Sequence, residues 1–286
     1  LNRPHIAIKY VDFIKKNTNI KVIYYGHDLH FLREYREYEL TGDIQKKRES
    51  DYWKSIEFSL MEKAAVSYYP SYVEEEAIHA IHPEYKIRAI TAYVYEKFLE
   101  NIDKDFEKRE GLLFVGGFAH PPNADAVLWC AKEIFPLIRQ KLDVNFYVVG
   151  SKVTDEIKAL EQPGSGIIVK GFVTEEELAS LYATSRIVVV PLRYGAGVKG
   201  KVVEAVYNGS AIVTTSIGSE GIPEAERVMK VADGPEAFAD EVVKMYQDPA
   251  ECRRMCEETQ KYIREYFSVE AAWKVIEGDF TPEKKR

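Results

Sequence analysis

Cysteine is scarce, with 3 among 286 residues, which removes a disulfide framework as the source of stability. Cys252 and Cys256 sit four apart in a charged helical pattern without further ligands nearby to complete a tetrahedral metal shell, so with Cys130 they read as free thiols of a reducing compartment. No stretch approaches the ~20 consecutive apolar residues of a bilayer-crossing helix. Positive charge is not in excess either: 39 Lys and Arg against 46 Asp and Glu leave a net charge of −7. The two signs are interspersed, so no broad basic face is offered to nucleic acid. Repeats of fixed period and low-complexity segments are also lacking, which argues against solenoids and long disordered arms. What is present is 46% hydrophobic and 30% charged residues, a composition that supports one large or two ordinary globular domains. The expected location is cytoplasmic, with room for peripheral membrane contact.

Short β-branched runs alternate with longer amphipathic runs, the pattern of βα units around a mostly parallel sheet. In the first hundred residues the strands are expected at 20–25, 66–70 and 87–91, and the helices at 5–16, 51–65 and 73–81. The charged, aperiodic stretch 96–110 is expected to connect two domains. A second series follows, with strands at 112–116, 145–150, 166–171, 186–191 and 211–215. Helices are expected at 123–141, 151–160, 175–183 and 199–207. A helical tail covers 235–277, broken near Phe267-Ser268, where Ser268 can cap the last helix. Four of these strands end in Gly116, Gly150, Gly171 and Pro191. That edge of a parallel sheet is where ligands bind.

The run Arg193-Tyr-Gly-Ala-Gly-Val-Lys-Gly-Lys-Val-Val-Glu204 carries the most chemistry. Gly195 and Gly197 with Ala196 let backbone N–H groups approach an anion, and the helix that follows offers its positive end. Arg193, Lys199 and Lys201 add full charges there, which a bound anion explains better than helix stability does. Glu204, five residues beyond Lys199, can accept hydrogen bonds from a pair of sugar hydroxyls. The alternative is a solvated basic helix face after a plain turn. Adjacent Gly116 and Gly117 do not give the spacing of a dinucleotide fingerprint, and prolines stand where its helix should begin. A nicotinamide enzyme is therefore disfavoured. The 19 tyrosines could stack on sugars, or serve as core and interface residues. His79 and His82, three apart on a polar helix face, are expected to point to water.

Several pieces arrive in one order: Phe114-Val-Gly-Gly-Phe-Ala-His-Pro-Pro-Asn-Ala-Asp125, Phe146-Tyr-Val-Val-Gly150, Val169-Lys-Gly-Phe-Val173, Leu178 with Tyr182, Val190-Pro-Leu-Arg193, the 195–205 run and Gly218-Ser-Glu-Gly221. Together they resemble the donor-binding domain of family 4 glycosyltransferases (glycosyl transferases group 1) with the GT-B fold. The resemblance covers residues 111–222 well and the rest more loosely.

It implies an α/β protein of two Rossmann-like domains. Residues 1–107 would be a partial N-terminal acceptor-side domain and linker, lacking its start, because the chain opens on Leu-Asn-Arg-Pro in what looks like mid-domain. Residues 108–267 would bind the nucleotide sugar, and 268–286, with Trp273, would return to the first domain. Glu204 matches the acid that holds the ribose hydroxyls in the family, and Ala196 stands where a first acid approaches the transferred sugar. The backbone of Gly195, Ala196, Gly197 and Val198 would face the diphosphate and sugar. Gly117 would line the same site, and Arg193 and Lys199 would supply charge that many members place after the first strand of this domain. Phe172 and Val173 match the loop beside the base, strand-end packing being their alternative reading. In Tyr24-Tyr-Gly-His-Asp-Leu-His30, His27 matches a histidine brought toward the donor sugar, a role suited to imidazole near neutral pH. A helix cap at Asp28, or a metal cluster of His27, Asp28 and His30, are alternatives.

The implied reaction moves a sugar from a nucleotide diphosphate sugar to the hydroxyl of a glycan or other acceptor, with retention of configuration and without a metal or other cofactor. The rivals are a catalytically silent nucleotide-sugar-binding homologue and a sugar-nucleotide epimerase or hydrolase on the same fold. A hydrolase or epimerase needs a carboxylate pair that the sequence does not place.

Overall fold

The computed structural model describes residues 1–280. Two parallel sheets form two lobes, each with its own core. The first lobe has the strands β1 (Ile23–Tyr25), β2 (Val66–Tyr69) and β3 (Ile87–Ala89) in sequential order, with helices α1 (Pro4–Asn17), α2 (His30–Thr41), α3 (Ile44–Lys63) and α4 (Tyr72–His79). Ala7 and Val11 of α1, Leu60 and Met61 of α3 and Ile78 of α4 pack with Tyr24 and Tyr69 from the strands. Such stripes at helical spacing are what an amphipathic helix buries on a sheet.

The second lobe has six parallel strands, β4 (Leu112–Val115), β5 (Phe146–Val149), β6 (Ile167–Gly171), β7 (Ile187–Val190), β8 (Ala211–Thr214) and β9 (Lys230–Val231), in the order β6-β5-β4-β7-β8-β9. Strands β7 and β8 are buried along their whole length, as continuous β-branched runs covered on both faces should be. The helices are α5 (Pro121–Trp129), continued through one π turn (Cys130–Ile134) into α6 (Phe135–Arg139), then α7 (Asp155–Lys158), α8 (Glu175–Thr184), α9 (Gly200–Tyr207), α10 (Ser216–Ser219), α11 (Pro235–Tyr246) and α12 (Pro249–Tyr266). The π turn falls just before Pro136, whose ring has no N–H to give the helix ladder.

The last helix, α13 (Val269–Phe280), starts at Ser268, whose Oγ accepts from Ala271 N at 3.1 Å. Its Asp279 side chain accepts from Tyr68 at 2.6 Å and Lys86 at 2.7 Å and pairs with Arg88, all in the first lobe. Residues 281–286, the end of the segment expected to return there, lie outside the described residues. The stretch 96–110 has no regular structure, yet it is not a free tether. Phe106 is fully buried in the second core, Arg109 stacks on it at 4.1 Å, and Arg264 stacks on Phe98 at 4.0 Å.

The structure corrects the expected elements in several places, the short α10 and a break between α11 and α12 at Gln247-Asp248 among them. Helix α2 is new, α3 begins at Ile44 rather than 51, the helix expected over 151–160 shrinks to α7, and β9 adds an edge strand. Helix α2 has no cap of its own, for Leu29 offers no side-chain acceptor. Glu57 of α3 caps it instead, its fully buried carboxylate accepting from the N–H groups of His30 at 3.0 Å and Phe31 at 3.2 Å. His79 and His82 do not simply face water: His79 pairs with the Tyr85 carbonyl at 3.0 Å, and His82 stacks on the Tyr85 ring at 4.5 Å.

Removing the Glu57 carboxylate strands those N–H groups in a dry interior. Glu57→Ala should lower the unfolding free energy by about 2–4 kcal/mol, read as a shifted urea midpoint, and a change below ~0.5 kcal/mol would show that α2 is held by packing alone.

Candidate functional site

The strand order of the second lobe reverses between β4 and β7, and a gap opens there at the carboxyl edge of the sheet. A cavity of about 430 Å³ occupies it. Its walls come from the ends of three strands, Gly116 and Gly117 after β4, Gly150 and Ser151 after β5, and Phe172 and Val173 after β6, with Gly200, Lys201 and Glu204 of α9 opposite. Gly150 has φ +154°, and a Cβ there would collide with the Gly116 carbonyl. The β4 and β5 ends can therefore converge only because this position is glycine. Asn123 of α5 ties the wall together: its Nδ2 donates to Gly117 O at 2.8 Å and its Oδ1 accepts from Lys201 Nζ at 2.7 Å.

The electrostatics of the cavity are uneven. Burial, with the nearby Lys199 charge adding to it, lowers Lys201 to about 8. Asn123 is a neutral partner, so the ammonium faces the cavity without a counter-charge of its own. The first turn of α9 points the same way, with Tyr93 against Gly200, where a Cβ would lie 2.6 Å from the tyrosine hydroxyl. Burial raises the Glu204 carboxyl above its ordinary range, while the neighbouring Tyr182 hydroxyl pulls it down. At the outer rim Phe172 is 82% exposed, so strand-end packing does not account for it. The cavity thus brings a flat ring, a carboxylate, the start of a helix and an ammonium into one lining.

Of the residues singled out in the sequence, Gly117, Phe172, Val173 and Glu204 come together here. The others do not line this cavity. Arg193, expected to supply charge to the site, is engaged elsewhere: its Nε and Nη2 bind Asp125 and its guanidinium lies 5.5 Å over Trp129. Gly195, Ala196, Gly197, Val198 and Lys199 lie at the seam between the lobes. The Lys199 ammonium donates to Gly197 O, and burial pushes its pKa down. From the first lobe, Arg36 donates to Gly195 O at 2.7 Å and pairs with Glu220 at 2.6 Å. Gly197, at φ +76°, sits so close to this lobe that a Cβ would meet His27 O at 3.3 Å and Asp28 at 3.3 Å. His27 is therefore beside the loop; its ring stands edge-on to Tyr25 at 5.0 Å, and its buried Nε2 has no partner. Burial, then the Arg3 charge, lowers its pKa, favouring neutral imidazole.

The alternative metal cluster dissolves into partnered side chains, with Asp28 bound to Arg33 and His30 to Glu57. Sequence reasoning placed Lys201 in the helix's first turn but did not set it above Lys199, and it missed Asn123. Both lie in the quoted pattern, but only the fold shows that residue 201 turns inward and residue 199 toward the other lobe.

Residues 109–248 match the family model described as glycosyl transferases group 1. That stretch, just under half of the chain, is thus similar to glycosyl transferases group 1. An uncharacterised 44.6 kDa protein of a cps region in Klebsiella pneumoniae is 32% identical over 116 residues, which are 38% of this chain and 30% of that protein. The chain thus matches under a third of the length of that curated relative. Among solved structures, a sucrose-phosphate synthase from Thermosynechococcus elongatus aligns over 98% of this chain and 71% of its own, at TM-score 0.76 and 16% identity. TarM of S. aureus, solved with UDP and sugar ligands, aligns over 94% and 53% at TM-score 0.70 and 15% identity. The pneumococcal O-GlcNAc transferase GtfA, solved with UDP and GlcNAc, aligns over 94% and 53% at TM-score 0.63 and 15% identity. At these identities the likeness is one of fold. The two lobes together have the α/β fold of parallel sheets seen in these GT-B structures.

An anion bound beside Lys201 favours its charged form. Affinity for a nucleoside diphosphate should therefore be full below pH 8 and fall up to about tenfold per unit above it, as Lys201 loses its proton in the free protein. Titration calorimetry between pH 7 and 9.5 reads the profile. Lys201→Gln should flatten it, and an unchanged slope in that variant would assign the effect to another group.

Proposed function

We propose that this protein transfers a sugar from a nucleotide diphosphate sugar to the hydroxyl of a glycan or other acceptor. The observation that carries the reading is the cavity at the carboxyl ends of β4, β5 and β6, within the stretch similar to glycosyl transferases group 1, which Phe172, Glu204 and Lys201 line together. Phe172 and Val173 border the base, Glu204 accepts from the ribose hydroxyls, and Gly117, Gly200 and Lys201 meet the diphosphate. UDP in the solved complexes of TarM and of GtfA supports a nucleotide in this fold. The volume of about 430 Å³ is within the range of small-ligand sites.

In the reaction the bond from the sugar's anomeric carbon to the diphosphate oxygen breaks with its electron pair leaving on the phosphate. The acceptor oxygen bonds to that carbon and its proton passes to the departing diphosphate, which balances charge without a protein nucleophile. Lys201 and the first turn of α9 stabilise the negative charge that accumulates, which is where electrostatic preorganisation lowers the barrier. His27, at the seam by the loop 195–199, donates a hydrogen bond to the sugar or the leaving phosphate. Retention of configuration, membership of family 4 and freedom from a metal are carried by the resemblance. We place the reaction in the cytoplasm, which suits three buried cysteines that are all free. No described helix is long and apolar enough to cross a membrane.

A second reading, a silent binder of nucleotide sugar, is favoured by Ala196, which offers no side-chain group to the transferred sugar. Release of diphosphate from labelled sugar donors in the presence of hydroxyl acceptors separates the two. His27→Ala should lower turnover about 100-fold and leave donor affinity within ~3-fold. Tight donor binding with no turnover in the unmodified protein would assign the silent role, and wild-type turnover in the variant would remove His27 from the chemistry.

A further inference from the structure

The seam between the lobes holds charged groups that the proposed nucleotide site does not use. Glu74 is fully buried; Ser71 Oγ donates to its Oε2, and its Oε1 has no partner. Glu220, with its side chain 10% exposed, binds Arg36 through Oε2 and leaves Oε1 without a partner. Both carboxylates act on the Lys199 ammonium, and a Cβ on Gly197 would be 3.4 Å from Glu74 Oε1. Two carboxylate oxygens without donors are costly in a dry interior. Burial already pushes the Glu74 pKa up. A ligand bearing hydroxyl groups would satisfy both oxygens.

The chain's path says which ligand reaches them. Gly200 and Lys201 line the nucleotide cavity, and the two residues before them, Val198 and Lys199, are buried at the seam. The seam is therefore the next position along the loop from the diphosphate end of the cavity. A group attached to that diphosphate arrives between His27, Glu74 and Glu220. Ala196 has no side-chain oxygen for it. We infer that Glu74 and Glu220 form the subsite that takes the hydroxyls of the transferred sugar, and that this pair of carboxylates selects a neutral hexose over a uronic acid. The inference rests on the nucleotide-sugar reading given above. The lobes meet closely at Gly197 in this structure, so the sugar enters as they part, a motion usual for two-lobed enzymes. Arg36 holds Glu220 and Gly195 together, so carboxylate and loop move as one.

The free acceptors give the selectivity. Lys199 and Arg36 are already engaged, by Gly197 O and by Gly195 O with Glu220 Oε2. What the seam leaves free are the acceptors Glu74 Oε1 and Glu220 Oε1, which receive hydroxyls and offer nothing to a sugar carboxylate. Gln in place of either Glu keeps the shape and removes the charge.

The test uses titration calorimetry on the full chain, beginning with UDP, GDP and ADP to find the base that binds. With the base that binds, the free diphosphate, its glucose ester and its glucuronate ester are compared in wild type, Glu74→Gln and Glu220→Gln. The inference requires diphosphate affinity within twofold of wild type in both variants, about tenfold weaker binding of the glucose donor, and a gain for the glucuronate donor. Unchanged diphosphate affinity also shows that each variant is folded. If the glucose donor binds both variants as it binds wild type, the subsite is elsewhere and the inference is overturned. If none of the three diphosphates binds wild type, the nucleotide reading has failed and the inference falls with it.

Discussion

A parallel sheet whose strand order reverses leaves a gap at its carboxyl edge that no crossover covers, and the rest of this protein is arranged around that gap. The reversal between β4 and β7 sends the β4 and β5 ends one way and the loop before α9 the other. Gly150 allows the first two ends to converge, Asn123 ties them to α9 through Lys201, and the helix starts with its positive end toward the opening. The buried cation is affordable there because its surroundings are polar on one side and open to an anion on the other.

The second lobe makes this cavity with Tyr93 from the segment after β3, and the loop just before α9 depends on the first lobe. Arg36 on Gly195 O, His27 and Asp28 against Gly197, and Glu220 on Arg36 fix the loop 195–199 from across the seam. Helix α2, which carries Arg36, is in turn capped by Glu57 of α3. A chain of polar contacts therefore runs from the interior of the first lobe to the loop that leads into α9. Asp279 adds a second tie, bringing α13 back onto Tyr68 and Lys86. The two lobes are thus tied both at the loop 195–199 and through α13.

The second lobe was legible because five of its strands are short, mainly apolar runs, and four of these mark their carboxyl end with Gly116, Gly150, Gly171 or Pro191. The parallel-sheet class, the run leading into α9, and Glu204 with Phe172 in one cleft follow from that. Helix α2 was not legible, because its cap lies 26 and 27 residues away in Glu57 rather than at Leu29. The charges around α9 could be counted but not aimed. Arg193, Lys199 and Lys201 lie within nine residues, yet one turns to Asp125, one to the seam and one to the cavity. Those directions depend on partners from α5 and from the other lobe, and no local spacing contains them.

The central claim is that Glu204 meets the ribose of a nucleotide in the switch-point cavity. It is tested most directly by comparing the affinity of a ribonucleoside diphosphate with that of its 2′-deoxy counterpart, in the unmodified protein and in Glu204→Ala. The account requires the unmodified protein to bind the ribose form about tenfold more tightly, and the variant to bind both alike. Equal affinities in the unmodified protein, or a preference that persists without Glu204, would contradict it.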